Sequence, residues 1–289
     1  MSGAPCSPCS TVEGRCPVMD IGWLLVVELI ALGTVTGFLA GLLGIGGGMM
    51  MVPFMTWILT SRGVDPGLAV KMAIATSMAS ILFTSIASVR AHHKRGAVRW
   101  DLVRGLAPGI AIGGLVAGAG AFTAIKGSAL ALGFAAFVGF SATQMLFDRK
   151  PKPSRQMPGP AGQTAAGGVI GFISGLVGAG GGFASVPFMT WCNVPIHQAV
   201  STSAALGFPI ALANTIGYVV GGWKLDTGVP GALGYLVLPM LVVIVSASVL
   251  TAPWSAKAAH ALPVKRLKQV FAMVLYALAG YMLWRGLTA

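Results

Sequence analysis

Residues 37–57 read GFLAGLLGIGGGMMMVPFMTW, and residues 171–191 read GFISGLVGAGGGFASVPFMTW. They align without a gap at an offset of 134 residues (171 minus 37), and about two-thirds of the aligned positions are identical. Glycine-rich composition can imitate a few such matches, but not the shared VPFMTW. Both copies continue into a Thr-Ser pair, Ala73-Ile-Ala-Thr76-Ser77 in the first and Ala199-Val-Ser-Thr202-Ser203 in the second. The chain is an internal duplication.

Working outward, each copy divides into five apolar segments. These are roughly 21–44, 49–59, 68–89, 102–122 and 127–147, then 163–178, 182–192, 196–222, 231–254 and 269–284. Most are long enough to cross a bilayer, which takes about 20 residues. The second of each set has only about a dozen, about half a bilayer core at 1.5 Å per residue, and reads as a half-helix. Composition agrees: 55% of the residues are hydrophobic and 9% charged, against about 25% charged in an ordinary soluble domain. The expected organisation is a polar tail at 1–20, a first membrane repeat at 21–147, a basic Pro-rich linker at 148–162 and a second repeat at 163–289. The fold class is an all-α polytopic membrane protein of two inverted repeats with glycine-broken half-helices.

The net charge of +12 could suggest nucleic acid, but its placement argues otherwise. Lys94, Arg95 and Arg99, then Arg149, Lys150, Lys152 and Arg155, then Lys257, Lys265, Arg266 and Lys268 lie in three loops between apolar segments. If every segment reverses the chain, all three loops share one face, which the positive-inside rule makes cytoplasmic. Both termini then face outside. If each glycine-linked pair is one broken span, the third loop falls opposite the other two. Five crossings per repeat invert the second copy relative to the first, the plan of many secondary transporters.

Gly44-Ile-Gly46-Gly47-Gly48 and Gly178-Ala-Gly180-Gly181-Gly182 fall where one helix ends and a short one begins. Exposed backbone at membrane depth survives only when buried in protein or lining a wet cavity. Helices starting at Met49 and Phe183 would aim N–H groups and a partial positive charge into that cavity, which suits an anion. The candidate substrate-binding residues are Gly46, Gly47, Gly48, Met49, Thr76 and Ser77 with Gly180, Gly181, Gly182, Phe183, Thr202 and Ser203. The competing structural reading is close helix crossing, as in Gly37-xxx-Gly41 and Gly171-xxx-Gly175. With no preceding strand and no Walker Lys-Ser/Thr, the glycines do not read as a nucleotide site.

These two glycine segments, with SVRAHHKRGAVRWDL at 88–102, resemble the sulfite exporter TauE/SafE family. The resemblance spans nearly all of the chain beyond residue 20. It implies a multi-pass permease of the bacterial inner membrane that moves sulfite, thiosulfate, organosulfonates or related small anions, often outward. The three-cysteine leader (Cys6, Cys9, Cys16) departs from the family's pattern as known.

Other polar residues are read one by one. Glu28, inside the first apolar run, could carry a coupling proton, snorkel, or pair with a neighbour. Lys71 could attract anions or snorkel to headgroups. Asn214 and Gln144 are weaker candidates, and His92 and His93 read as a solvated cluster beside Lys94. Cys192 reads as apolar packing or a contact to a sulfur-containing substrate. No catalytic set and no metal-ligand spacing is visible, so no cofactor and no enzyme activity is expected. The expected partners are a small anion, the bilayer and a coupling ion; a homodimer is allowed. The alternatives are a passive anion channel of the same fold, or a redox protein using Cys6 and Cys9.

Overall fold

The computed structural model describes residues 22–43, 48–94, 96–147, 155–225, 227–258 and 264–288. The first repeat contains α1 (Trp23–Leu43), α2 (Gly48–Ser61), α3 (Pro66–Lys94), α4 (Trp100–Ala124) and α5 (Gly127–Leu146). The second contains α6 (Pro160–Val177), α7 (Gly182–Trp191), α8 (Ile196–Gly222), α9 (Leu238–Ala258) and α10 (Val264–Thr288). Five stretches are long and apolar enough to cross a membrane: α3, α4, α5, α8 and residues Gln269–Thr288 of α10. The protein is an all-α, multi-pass membrane protein.

Two boundaries and one helix interior differ from the sequence reading. The ninth segment does not begin as a helix. Ala232–Leu233 (β1) and Leu236–Val237 (β2) form a small antiparallel hairpin, and α9 starts at Leu238. Gly231 and Gly234 carry positive φ there, which bends the backbone where a helix would continue. In α4, Val116–Ala121 widens into a π-helical turn, where Gly118 lies against the α8 backbone at Asn214 and Gly217. The run Ala-Gly-Ala-Gly-Ala lets the two backbones approach that closely. Pro160 opens α6, three residues earlier than expected, because its fixed φ and missing N–H suit a first helical turn.

Both short helices turn back beside the helix before them. Arg62, just past α2, donates to Glu28 near the start of α1 at 2.9 Å. Arg155, just before α6, donates its N–H to Trp191 O at the end of α7 at 3.3 Å, and its guanidinium lies 4.9 Å from the Trp191 ring centre. Each glycine-linked pair is thus a re-entrant hairpin, not one broken span, so the reading in which every segment reverses is the one that fits. Equivalent helices of the two repeats run antiparallel. His92 near the end of α3 contacts Ser201 near the start of α8, and Gly286 near the end of α10 abuts Leu132 and Ser128 of α5.

The most extensive helix contacts cross between the repeats: α4 with α6 and, as its counterpart, α1 with α9. Small residues make both. A methyl group on Gly109 would lie 1.8 Å from Thr164 O, one on Gly113 2.0 Å from Gly168 O, and one on Gly171 2.5 Å from Ile110 O. On α1, a methyl group on Gly33 would lie 2.8 Å from Ile244 O and one on Gly37 2.7 Å from Ser248 Cα. Close helix crossing, the competing reading of the glycines, therefore holds for Gly37, Gly171 and Gly175. The stripe Gly105-xxx-Gly109-xxx-Gly113 carries the same signature.

Candidate functional site

The two hairpins enter from opposite faces and their tips touch. A methyl group on Gly48 would sit 2.8 Å from Gly178 O, 2.7 Å from Ile81 Cδ1 and 3.2 Å from Ser77 Oγ. The second tip is built by two glycines in the left-handed region: Gly178, which caps α6, and Gly181, which precedes α7. Only glycine adopts this conformation without strain. Gly181 O accepts the N–H groups of Ala184 and Ser185, at 3.0 and 2.8 Å. Among the described residues the N–H groups of Gly180, Gly182 and Phe183 have no backbone acceptor, as the first turn of a helix requires unless something else binds there. In the first repeat α1 ends at Leu43 and α2 begins at Gly48; the candidates Gly46 and Gly47 lie outside the described residues.

The serines meet these tips. Ser77 Oγ donates to Gly48 O at 3.2 Å, and Ser203 Oγ is 2.7 Å from Ser185 Oγ, which also donates to Gly181 O at 2.8 Å. The threonines look elsewhere. Thr76 Oγ1 accepts the N–H of Val237 at 3.1 Å, and Thr202 Oγ1 accepts that of Arg99 at 3.1 Å. Their oxygens hold backbone, and only their hydroxyl hydrogens remain to donate. Neighbours in sequence therefore face different partners, because successive helical positions point about 100° apart.

The site is closed. Among the described residues Met49, Thr76, Ser77, Thr202 and Ser203 are all buried, three of them fully. At the second tip Phe183, Ala184 and Gly180 are half-buried. A recess of about 490 Å3 lies elsewhere, against Val220, Gly221, Trp223 and Lys224.

Two charged candidates stand apart from the tips. Lys71 Nζ donates to Thr123 O at 3.0 Å and sits 6.0 and 5.6 Å from the ring centres of Phe122 and Tyr235. Glu28 is ion-paired to Arg62, and this anchors the open end of the first hairpin. Cys192 is buried and free at the end of α7. Among the described residues no group of three or more His, Cys, Asp or Glu gathers.

Sequence reasoning missed Ser185, which stands where the first copy has Met51. Behind the tip stands Asn214, one of the weaker sequence candidates: its Nδ2 donates to Ile210 O at 2.8 Å, while its buried Oδ1 finds no partner among the described residues. Tyr218, fully buried, donates its hydroxyl to Gly175 O. A buried polar residue one and two turns before a helix end, facing a glycine stripe, was the available sign.

Comparison with known proteins agrees with this architecture. The chain is 34% identical over 255 residues to a probable membrane transporter protein of Haemophilus influenzae, covering 88% of this chain and 96% of that one. It is 25% identical over 268 residues to a probable membrane transporter protein of Methanocaldococcus jannaschii, covering 90% and 96%. A probable membrane transporter protein of Bacillus subtilis is 27% identical over 220 residues, covering 68% and 79%. No solved structure gives a significant match. These relatives carry the name of transporters, not of enzymes, and the family model described as sulfite exporter TauE/SafE matches residues 29–282. A duplicated helical chain with two touching re-entrant tips, matched over nearly its whole length, belongs to the sulfite exporter TauE/SafE family of membrane transporters.

Proposed function

We propose that this transporter exports small sulfur-containing oxyanions, such as sulfite, thiosulfate or organosulfonates, by alternating access around the meeting point of the two hairpin tips. The observation that carries the reading is the contact of Gly48 with Gly178 beside amides that have no backbone acceptor. Ser77 lies eleven residues into α3 (77 minus 66), about 17 Å along the helix and so about half a hydrocarbon core deep. Amides of Gly180, Gly182 and Phe183 at that depth favour negative charge without a formal cation. Gly46, Gly47, Gly48 and Met49 supply the mirror-image start, Thr76 and Thr202 supply hydroxyl hydrogens, and Ser77 and Ser203 supply theirs once they turn from Gly48 O and Ser185 Oγ.

Lys71 draws anions toward this site from the face opposite the basic loops. Among the described residues it has no carboxylate partner, and a cation so placed attracts a mobile counter-ion. The two repeats, 21–147 and 163–289, are joined by the linker at 148–162. With the three basic loops cytoplasmic, both termini are periplasmic and the membrane is the bacterial inner membrane. The moving bodies are not the repeats themselves, because α1–α9 and α4–α6 join one to the other.

Purified protein in vesicles tests this. Saturable flux of sulfite, thiosulfate or methanesulfonate is expected; flux linear in driving force would make the protein a channel, and no flux of any of them would overturn the substrate class.

A further inference from the structure

Thr76 and Thr202 stand at equivalent places in the two repeats, and each accepts a backbone N–H from the other half of the chain. The donors are equivalent too. Arg99 is the residue before α4, and Val237 the residue before α9. Both hydroxyls are fully buried, so water can take the place of either oxygen only if the loop carrying the donor moves away. Arg99 belongs to the basic loop between α3 and α4, and Val237 to the loop between α8 and α9 on the opposite face. Since α8 already packs backbone to backbone against α4 at Gly118, the bond to Thr202 fastens the loop before α4 onto α8, the bond to Thr76 fastens the loop before α9 onto α3, and what either bond releases is the loop.

We propose that Thr76 and Thr202 are paired latches: Thr202 holds the basic face shut, Thr76 holds the opposite face shut, and each half of the transport cycle breaks one while keeping the other. The inference rests on the alternating-access reading but not on the substrate. The closed site, with both bonds made at 3.1 Å, is the state through which the two openings exchange. The basic face has a second tie in the contact of Ser201 Oγ with His92 Nδ1 at 3.1 Å, so its latch is the stronger one.

Spin-label pairs in the full chain, in nanodiscs and with the native cysteines replaced, read each face separately. Ala97→Cys with His197→Cys reports the basic face, and Ser61→Cys with Leu233→Cys the other. Thr76→Val should raise the long-distance population of the second pair about fivefold, the shift given by one lost hydrogen bond, and leave the first unchanged. Thr202→Val should do the reverse to a smaller extent. Thr76→Ser and Thr202→Ser keep the oxygen and should restore the distances. In a second measurement on the otherwise native chain, cross-linking the basic-face pair should slow amide exchange at Arg99 and not at Val237. Equal shifts of both pairs by either variant, no shift in either, or equal slowing of both amides would overturn the latches. Absence of sulfur-anion flux would remove the substrate assignment and leave these distances as they are.

Discussion

The two half-helices share VPFMTW yet live in different surroundings. In α2 ten of fourteen residues are buried, including Met49, Met50 and Met51; in α7 only Gly182, Ser185 and Met189 of ten are. The difference comes from their neighbours. α10 packs against α2, whereas its counterpart α5 leans on α6 and leaves α7 less covered. Where α2 opens on the buried Met49, Met50 and Met51, α7 opens on the half-buried Phe183 and Ala184 before the buried Ser185. Near-identical sequence thus supplies one short helix whose first turn is packed and one whose first turn is partly exposed.

The sharpest way to break this comparison is to truncate the equivalent residues Met49 and Phe183. Met49→Ala should cost about 3 kcal/mol, as a large-to-small change in a filled core does, and Phe183→Ala about 1 kcal/mol because that side chain is half-exposed. Thermal denaturation in detergent measures both, and equal losses would mean the tips are equally packed. Next come the tip glycines. Gly48→Ala forces a methyl against Gly178 O and should cost about 2 kcal/mol. Gly180→Ala meets only Ile81 at 3.3 Å and should cost less than about 0.5 kcal/mol.

Chemical access sharpens the same point. Ala184→Cys should react with a small thiol reagent at least about tenfold faster than Met50→Cys at the equivalent place, since a buried group reacts only when the protein opens. The smallest expected effect concerns the anchors. Glu28→Gln should cost about 0.5 kcal/mol, shrinking with added salt as a part-exposed ion pair does. Trp191→Leu, which removes the ring contact of the other hairpin, should show no such salt dependence. Transport by Glu28→Gln should keep its dependence on a pH gradient; loss of that dependence would make Glu28 a proton carrier instead of an anchor.

Much of this is legible in the sequence. The gapless repeat located both tips, the short segments announced half-helices, and the basic loops chose the parity in which every segment reverses. What could not be read was direction. Thr76 and Ser77 are adjacent letters, but one holds Val237 and the other Gly48, and only the path of a distant loop decides that. The hairpin at 232–237 was hidden because Gly231-Ala-Leu-Gly-Tyr-Leu-Val237 is as apolar as the helix it precedes. The stripe at Gly105, Gly109 and Gly113 was visible as a spacing, yet in a chain with 41 glycines it does not stand out until Thr164 and Gly168 are seen against it. Burial differences between α2 and α7 arise from how α5 and α10 lean, which no local pattern encodes.

The cross-repeat pairing of α1 with α9 and α4 with α6 bears on origins. Each half lays its first helix against the fourth helix of an upside-down twin, so half a chain on its own would leave both of those glycine-lined surfaces bare to lipid. A single-repeat forerunner could have completed itself only by inserting in both orientations and mating with an inverted copy. Fusion of two such genes would then have freed each half to acquire its own fixed orientation, and with it the difference between a packed α2 and a partly exposed α7.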